Sequence, residues 1–185
     1  DNTVSVIDGD SLEVVETIKV GRRPRAMAFS NDGSELFVAV GDDEAIDMVD
    51  LETLDVVSTL SSGEDPEVIR VDPNRPYVYV SNEDDNIVAV LDYRQRRLVT
   101  EFPVGVEPEG IGISPDGKWL IATTETSNMA HIVDLESMEA VHHRLMGARP
   151  RHAEFTADGS EAWVSADVGA TVSILDMQET FDVSH

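Results

Sequence analysis

The sequence contains no cysteine, few aromatic residues and only two lysines. The lack of cysteine excludes disulfides, thiolate metal sites and the Cys-x-x-Cys-His attachment of haem. Aromatic residues make up only 5% of the chain, too few for the stacking surfaces that hold large ring cofactors. No apolar run approaches the roughly 18 residues that a membrane-spanning helix needs. We therefore expect neither a bound cofactor nor insertion into a membrane.

Positive charge is also scarce. Thirteen Lys and Arg residues stand against 37 Asp and Glu residues, which gives a net charge of −24. Such a surface repels phosphate backbones, so nucleic acid is not an expected partner. This acid-rich, lysine-poor composition is typical of a protein kept soluble at high salt or outside the cytoplasm.

A strict repeat of 42 residues runs through the chain without insertion or deletion. Three residue types keep this step: Gly21, Gly63, Gly105 and Gly147; Pro24, Pro66, Pro108 and Pro150; and Asp8, Asp50, Asp92, Asp134 and Asp176. A fixed period of this length indicates stacked copies of one supersecondary unit, each burying the apolar face of its neighbour. We expect the repeated aspartates to bind backbone N–H groups in turns, because a catalytic group need not recur in every copy.

Each repeat contains four short apolar runs that are typical of β-strands. In the second copy they cover residues 25–29, 36–40, 45–49 and 54–60, with turns or polar loops between them. The runs are almost continuously hydrophobic, which indicates that both faces of each small sheet are covered. The sequence therefore predicts an all-β protein, a β-propeller of four-stranded blades.

The propeller is expected to be incomplete. Residues 1–185 form a single partial domain, in which residues 1–20 supply the third and fourth strands of a first blade. Full blades follow at 21–62, 63–104 and 105–146, then the first three strands of a last blade at 147–177 and a tail at 178–185. Both ends duplicate a third strand instead of completing one blade together, so we expect an open arc of about four blades from a longer chain.

Several segments resemble known propeller families. The runs at 77–82 and 86–92, with the Ser-Pro-Asp-Gly turn at 114–117, resemble the YVTN family of β-propellers over essentially the whole chain. WD40 repeats fit less well, because their third strand ends in Trp-Asp. The segments at 105–110, 125–131 and 148–151 resemble the PQQ-dependent-catabolism-associated β-propeller proteins.

This resemblance implies a non-enzymatic binding or scaffold protein with a full ring of about seven blades. It also implies a periplasmic or extracellular location beside a quinoprotein alcohol-oxidation system. The expected partner is a protein, such as a quinoprotein dehydrogenase system, or a small ligand at the channel mouth. Two alternatives are a cofactor-carrying or catalytic propeller of the quinoprotein or haem type, and a surface-layer YVTN repeat protein.

The sequence predicts no catalytic residue. No Ser-His-Asp grouping can be placed in it, and Gly110-Ile111-Gly112 lies on a strand instead of forming a phosphate loop. His131, His142 and His143 lack the spacing of metal ligands, so no metal site is predicted. Trp119 and Trp163 are expected to be packing residues.

The loops that contain the repeated prolines should ring one mouth of the central channel. Their charges run positive, negative, negative, positive around the arc. The candidate binding residues are Arg23, Arg25, Asp65, Glu67, Glu107, Glu109, Arg149, Arg151 and His152. The acidic residues of the neighbouring loops at 42–44, 83–85 and 125 are interpreted as a solvated rim.

Two interpretations of the mouth charges stay open. In the first, neighbouring loops of opposite sign pair across blades, at about 0–1 kcal/mol for each exposed pair. In the second, Asp65, Glu67, Glu107 and Glu109 converge on a cation or a cationic group, flanked by arginines able to hold carboxylates. His152, beside Arg151, is the histidine to test as a ligand.

Overall fold

The computed structural model describes residues 1–178 and is all-β. The first sheet contains β1 (Thr3–Ile7) and β2 (Val14–Lys19). The second contains β3 (Pro24–Phe29), β4 (Glu35–Val40), β5 (Ala45–Asp50) and β6 (Val56–Ser61), and the third β7 (Pro66–Val71), β8 (Tyr77–Asn82), β9 (Ile87–Asp92) and β10 (Arg97–Pro103). The fourth contains β11 (Pro108–Ile113), β12 (Trp119–Thr124), β13 (Met129–Asp134) and β14 (Glu139–Leu145), and the fifth β15 (Pro150–Phe155), β16 (Glu161–Ala166) and β17 (Thr171–Asp176).

Within each sheet the strands pair antiparallel in chain order. The first strands of successive sheets, β3, β7, β11 and β15, lie side by side around the centre of the arc. These sheets confirm the predicted fold class, an open partial propeller. Apart from Gln178, the expected tail at 178–185 lies outside the described residues. No helical segment within residues 1–178 is long and apolar enough to cross a membrane.

Apolar side chains fill the spaces between the sheets. On β4, Phe37 and Ala39 pack against the third sheet, whereas Val38 and Val40 on the other face pack against the first. Two further clusters fill the spaces between the third and fourth sheets and between the fourth and fifth. This two-sided burial explains why the strand sequences are continuously hydrophobic.

The second and fifth sheets each expose apolar side chains that no neighbouring sheet of the described chain covers. Met27 and Phe29 are exposed on the second sheet, and Trp163 and Ile174 are exposed on the fifth. Trp119 packs against the core as expected, but Trp163 is 47% exposed. The two tryptophans differ because no further described sheet covers the outer face of the fifth.

The repeated aspartates organise the turns that follow the third strands. Asp50 Oδ1 accepts hydrogen bonds from the N–H groups of Glu52 and Thr53, both at 2.9 Å. Asp92 and Asp134 accept bonds from the equivalent residues of their own turns. The structural role predicted for these residues is therefore confirmed.

Two glycines bring the inner strands of the last two sheets close together. A Cβ atom at Gly110 would lie 2.7 Å from the carbonyl oxygen of Arg151, and one at Gly112 would lie 2.8 Å from that of Ala153. Because real Cβ atoms do not approach backbone so closely, only glycine permits this spacing. The close approach of β11 and β15 also sets Glu109 beside Arg151.

A buried polar group links the third and fourth sheets on the far side from the repeated prolines. Arg75 donates to Asp72 Oδ2 at 2.7 Å, to the hydroxyl of Tyr79 at 2.9 Å and to the carbonyl of Leu135 at 2.8 Å. Asp72 is fully buried. The guanidinium therefore compensates a buried charge and joins two sheets at once.

We expect Arg75→Met to lower the free energy of unfolding by about 3 kcal/mol, because it leaves the Asp72 carboxylate buried without its cation. Urea denaturation of the protein measures this loss. Lys118→Met is the control, since Lys118 and Asp116 form an exposed pair at 3.3 Å whose loss should cost less than about 1 kcal/mol. Equal losses for the two variants would contradict a special role for Arg75.

Candidate channel-mouth site

The repeated prolines begin the inner strands, and the residue before each proline lies at the mouth. These four residues all have a left-handed backbone, with φ of 54° at Arg23, 48° at Asp65, 58° at Glu107 and 61° at Arg149. A residue before proline is disfavoured in the right-handed helical region. Because all four copies share the conformation, it belongs to the repeat and is not strain stored at one site.

Ion pairs join the second and third sheets at the mouth. Arg23 Nη2 lies 2.6 Å from both carboxylate oxygens of Asp65 and 3.3 Å from Glu67 Oε1. Arg25 donates from Nε to Glu67 Oε2 at 2.8 Å. The Glu67 side chain is only 4% exposed. This arginine pair therefore neutralises a carboxylate that is almost fully removed from water.

A second set of ion pairs joins the fourth and fifth sheets. Arg151 Nη2 lies 2.6 Å from Glu109 Oε1, and the Glu109 side chain is 8% exposed. Arg149 Nε lies 2.7 Å from Glu125 Oε1. The predicted pairing of oppositely charged loops across blades is confirmed at both ends of the charge series. The Glu109–Arg151 pair differs from exposed pairs, because removal of Arg151 would leave the buried Glu109 carboxylate without its cation.

Glu83 lies where the two acidic loops meet. It occupies the same repeat position as Glu125, but the next loop along presents Glu107 and Glu109 instead of arginines. The carboxylate oxygens of Glu83, Asp65 and Glu67 lie within 4.8 Å of one another. Like charges this close favour the protonated form of one member.

The pKa values follow this geometry. Burial first, and then the neighbouring carboxylates of Glu109 and Glu67, raise the pKa of Glu83 to about 7. Burial also raises the pKa of Glu109, in spite of the opposing effect of Arg151. Near neutral pH, Glu83 therefore exchanges a proton in the middle of an acidic group that arginines flank on both sides.

The remaining candidate residues lie apart from this group. Glu107 accepts a hydrogen bond from the hydroxyl of Thr126. His152 is exposed, and its Nε2 atom lies 3.7 Å from the carboxylate of Glu154. The sequence predicted an acidic group of Asp65, Glu67, Glu107 and Glu109. In the structure Glu83 takes the place of Glu107, because the Glu107 carboxylate binds the hydroxyl of Thr126 instead.

Sequence reasoning placed Glu83 in the solvated rim and missed its role. The signal was available in the repeat alignment. Glu83 and Glu125 are equivalent, and the sign of the following loop decides whether such a glutamate meets arginines or carboxylates. Burial, which raises the pKa most, is not visible in the sequence.

Asp65, Glu67 and Glu83 form a group of three carboxylates that could hold a metal ion within the part of the chain that the structure describes. Two of these carboxylates already bind the guanidinium groups of Arg23 and Arg25. Their negative charge is largely balanced without a metal. A proton on Glu83 neutralises the remaining negative charge of the three carboxylates more simply than a metal ion would.

Glu83 should make folding stability depend on pH in a defined direction. Its pKa is raised from the usual 4.5 to about 7, so the folded protein keeps this proton at pH values where the unfolded chain has lost it. The free energy of unfolding therefore falls as pH rises through this window. Because glutamine cannot ionise, we expect Glu83→Gln to have a flatter stability profile and to be more stable than the parent at pH 8.

Thermal melts between pH 4.5 and pH 8.5 measure this difference. Asp84→Asn is the matched control, since Asp84 is the exposed neighbour and its removal changes the net charge equally. The Asp84→Asn profile should run parallel to that of the parent. A parallel profile for Glu83→Gln as well would show that Glu83 is ionised at pH 7 like an ordinary carboxylate.

The chain matches a known protein family. A family model described as "Lactonase, 7-bladed beta-propeller" matches residues 47–145, just over half of the chain. No protein of curated function matches the sequence. Among solved structures, hydrazine synthase of Kuenenia stuttgartiensis is similar, with a TM-score of 0.85 and 23% identity over 95% of this chain and 57% of that one. This chain thus spans little more than half of that structure, and at this identity the similarity shows the fold alone.

The family match corrects one expectation from the sequence. The prediction that the protein is not an enzyme is wrong, because the matched family is of a hydrolase type. The prediction came from the resemblance to the PQQ-associated propellers, together with the absence of a Ser-His-Asp group and of cofactor ligands. Carboxyl groups with shifted pKa values can also serve in hydrolysis, and such shifts become visible only once the loops are placed together.

Proposed function

Since the chain belongs to the lactonase seven-bladed β-propeller family, we propose that the protein containing these blades hydrolyses a cyclic ester at the channel mouth. The observation that carries this proposal is the position and pKa of Glu83. A carboxyl group with a pKa of about 7 serves well as a general base or acid at neutral pH. Ester hydrolysis needs both roles.

In the proposed reaction, the Glu83 carboxylate removes a proton from a water molecule as the water oxygen attacks the ester carbonyl carbon. A new C–O bond forms, and the carbonyl oxygen becomes an oxyanion. When the tetrahedral intermediate collapses, the ring C–O bond breaks. Glu83 then returns the proton to the departing ring oxygen, so that the product is a hydroxy acid and the enzyme is unchanged.

Arg25 and Arg151 are the proposed oxyanion-stabilising residues. Their side chains are 34% and 36% exposed, while their bonds to Glu67 and Glu109 hold the guanidinium groups in place. A fixed cation aimed at developing negative charge stabilises a transition state without reorganising during the reaction. Glu67 and Glu109 then act as positioning residues for the arginines.

We expect Glu83→Gln to lower kcat/KM for the hydrolysed lactone by about 10²–10⁴, the usual contribution of a positioned general base. A panel of γ- and δ-lactones, followed through the acid released on ring opening, measures this loss. For the parent, kcat/KM should rise with pH through about 7, as Glu83 loses its proton. Asp84→Asn should keep both the rate and the pH profile.

Activity retained by Glu83→Gln would overturn the role of Glu83. Activity absent from the parent over the whole panel would overturn lactone hydrolysis itself. Arg151→Lys separates charge from geometry, because lysine keeps the positive charge but cannot reproduce the planar fork of arginine. We expect this variant to lose kcat with a smaller change in KM.

The location and partners of the protein are narrower proposals that come from the resemblance to the PQQ-associated propellers. We infer a periplasmic or extracellular location, which the net charge of −24 supports. A quinoprotein alcohol-oxidation system is the proposed neighbour. Fractionation of the source cells, and co-purification with a quinoprotein dehydrogenase, test these two points.

A further inference from the structure

Two histidines on adjacent strands of the fourth sheet lie in direct contact. His131 on β13 and His143 on β14 are opposite each other in the strand register. Their Nδ1 atoms are 2.9 Å apart, and the ring centroids are 4.7 Å apart with an angle of 76° between the planes. Since a hydrogen bond between two nitrogens needs one donor and one acceptor, the rings share a single proton at this contact.

Neighbouring groups hold the buried ring in place. His131 is 9% exposed, and its Nε2 atom lies 3.3 Å from the hydroxyl of Thr124, which in turn lies 2.6 Å from the hydroxyl of Ser127. If Nε2–H donates to Thr124, the lone pair of His131 Nδ1 faces His143. A Cβ atom at Gly105 would lie 2.5 Å from Nε2, so the repeat glycine leaves room for the ring.

We propose that His131 and His143 form a bidentate site for a divalent transition-metal ion, with Cu²⁺ and Ni²⁺ as the best fit. Two nitrogens at about 2.05 Å from a metal and about 90° apart are separated by about 2.9 Å, whereas a tetrahedral angle would separate them by about 3.3 Å. The observed 2.9 Å matches the square-planar arrangement that Cu²⁺ and Ni²⁺ accept.

Metal binding at this contact requires only a change of tautomer. The proton between the two Nδ1 atoms leaves, and His143 takes one up at Nε2 from solvent, so both rings stay neutral. Neutral imidazole is the form that binds metals. Burial, and then the proximity of His143, lower the pKa of His131 to about 4, which keeps that ring neutral under ordinary conditions. The exposed His143 leaves the other coordination positions open to water.

The equivalent position in the second sheet shows that the fold does not need a histidine pair. There Asp47 and Thr59 occupy the same two repeat positions, and the Thr59 hydroxyl donates to Asp47 Oδ1 at 2.6 Å. Asp47 also accepts a hydrogen bond from the N–H of Gly21 at 2.8 Å. An aspartate and a threonine therefore make the hydrogen bonds that this position of the blade needs. The fold does not require two histidines here, and their capacity to bind a metal is additional to it.

This comparison supplies the test. The double variant His131→Asp, His143→Thr copies the second sheet. It should therefore fold like the parent but no longer bind the metal. Isothermal titration with Cu²⁺ and with Ni²⁺ should give one saturable site per parent chain and at least ~10-fold weaker binding in the double variant. His142→Gln is the matched control, because His142 lies opposite Ile132 in the register and on the other face of β14.

Electron paramagnetic resonance of the Cu²⁺ complex gives a second readout, since two imidazole nitrogens produce a characteristic hyperfine pattern. Loss of this pattern in the double variant, but not in His142→Gln, would support the site. Unchanged Cu²⁺ binding in the double variant, or no saturable binding by the parent, would overturn it. Binding abolished by Glu83→Gln instead would place the ion at the channel mouth, and it would also overturn the histidine site.

Discussion

The burial of each sheet on both faces is the constraint on which the rest of the molecule depends. A four-stranded antiparallel sheet with two apolar faces cannot stand alone in water, so each repeat is stable only between neighbours. Because the period is strictly 42 residues, a residue lies beside its equivalent in the next blade. The contacts Arg25–Glu67, Glu109–Arg151 and Asn74–Asp116 all join such equivalent positions. Lateral packing thus converts sequence period into spatial adjacency.

The order of charges along the chain then decides the chemistry of the mouth. Where loops of opposite sign are neighbours, buried ion pairs form between them. Where the two acidic loops meet, burial first, and then the carboxylates of Glu109 and Glu67, raise the pKa of Glu83. Exposed pairs contribute about 0–1 kcal/mol, whereas a buried uncompensated charge costs several. The raised pKa of Glu83 therefore follows from its burial together with the acidic side chains around it.

The fold was predictable from the sequence because every level of it repeats. The turn aspartates, the inner-strand prolines and the continuous apolar runs agree from copy to copy, and the structure places each where that agreement predicts. The site was only partly predictable. Pairing across the blades follows from the signs of the loops, but the exchange of Glu107 for Glu83 depends on burial and on a side-chain bond to Thr126. Trp163 shows the same limit, since its exposure depends on which neighbour covers it.

In a repeat protein, departures from the repeat separate what the fold requires from what it only tolerates. Glu125 and Glu83 share a backbone position, yet one is a partner of arginines and the other exchanges a proton near neutral pH. The pairs Asp47–Thr59 and His131–His143 likewise occupy equivalent positions in two different blades. In both cases the fold needs no more than the ordinary residues provide, which are Glu125 at the first position and Asp47 with Thr59 at the second. The unusual member then has no structural necessity to explain it, and this makes Glu83 and the histidine pair, instead of the recurrent aspartates, the places where function should be sought.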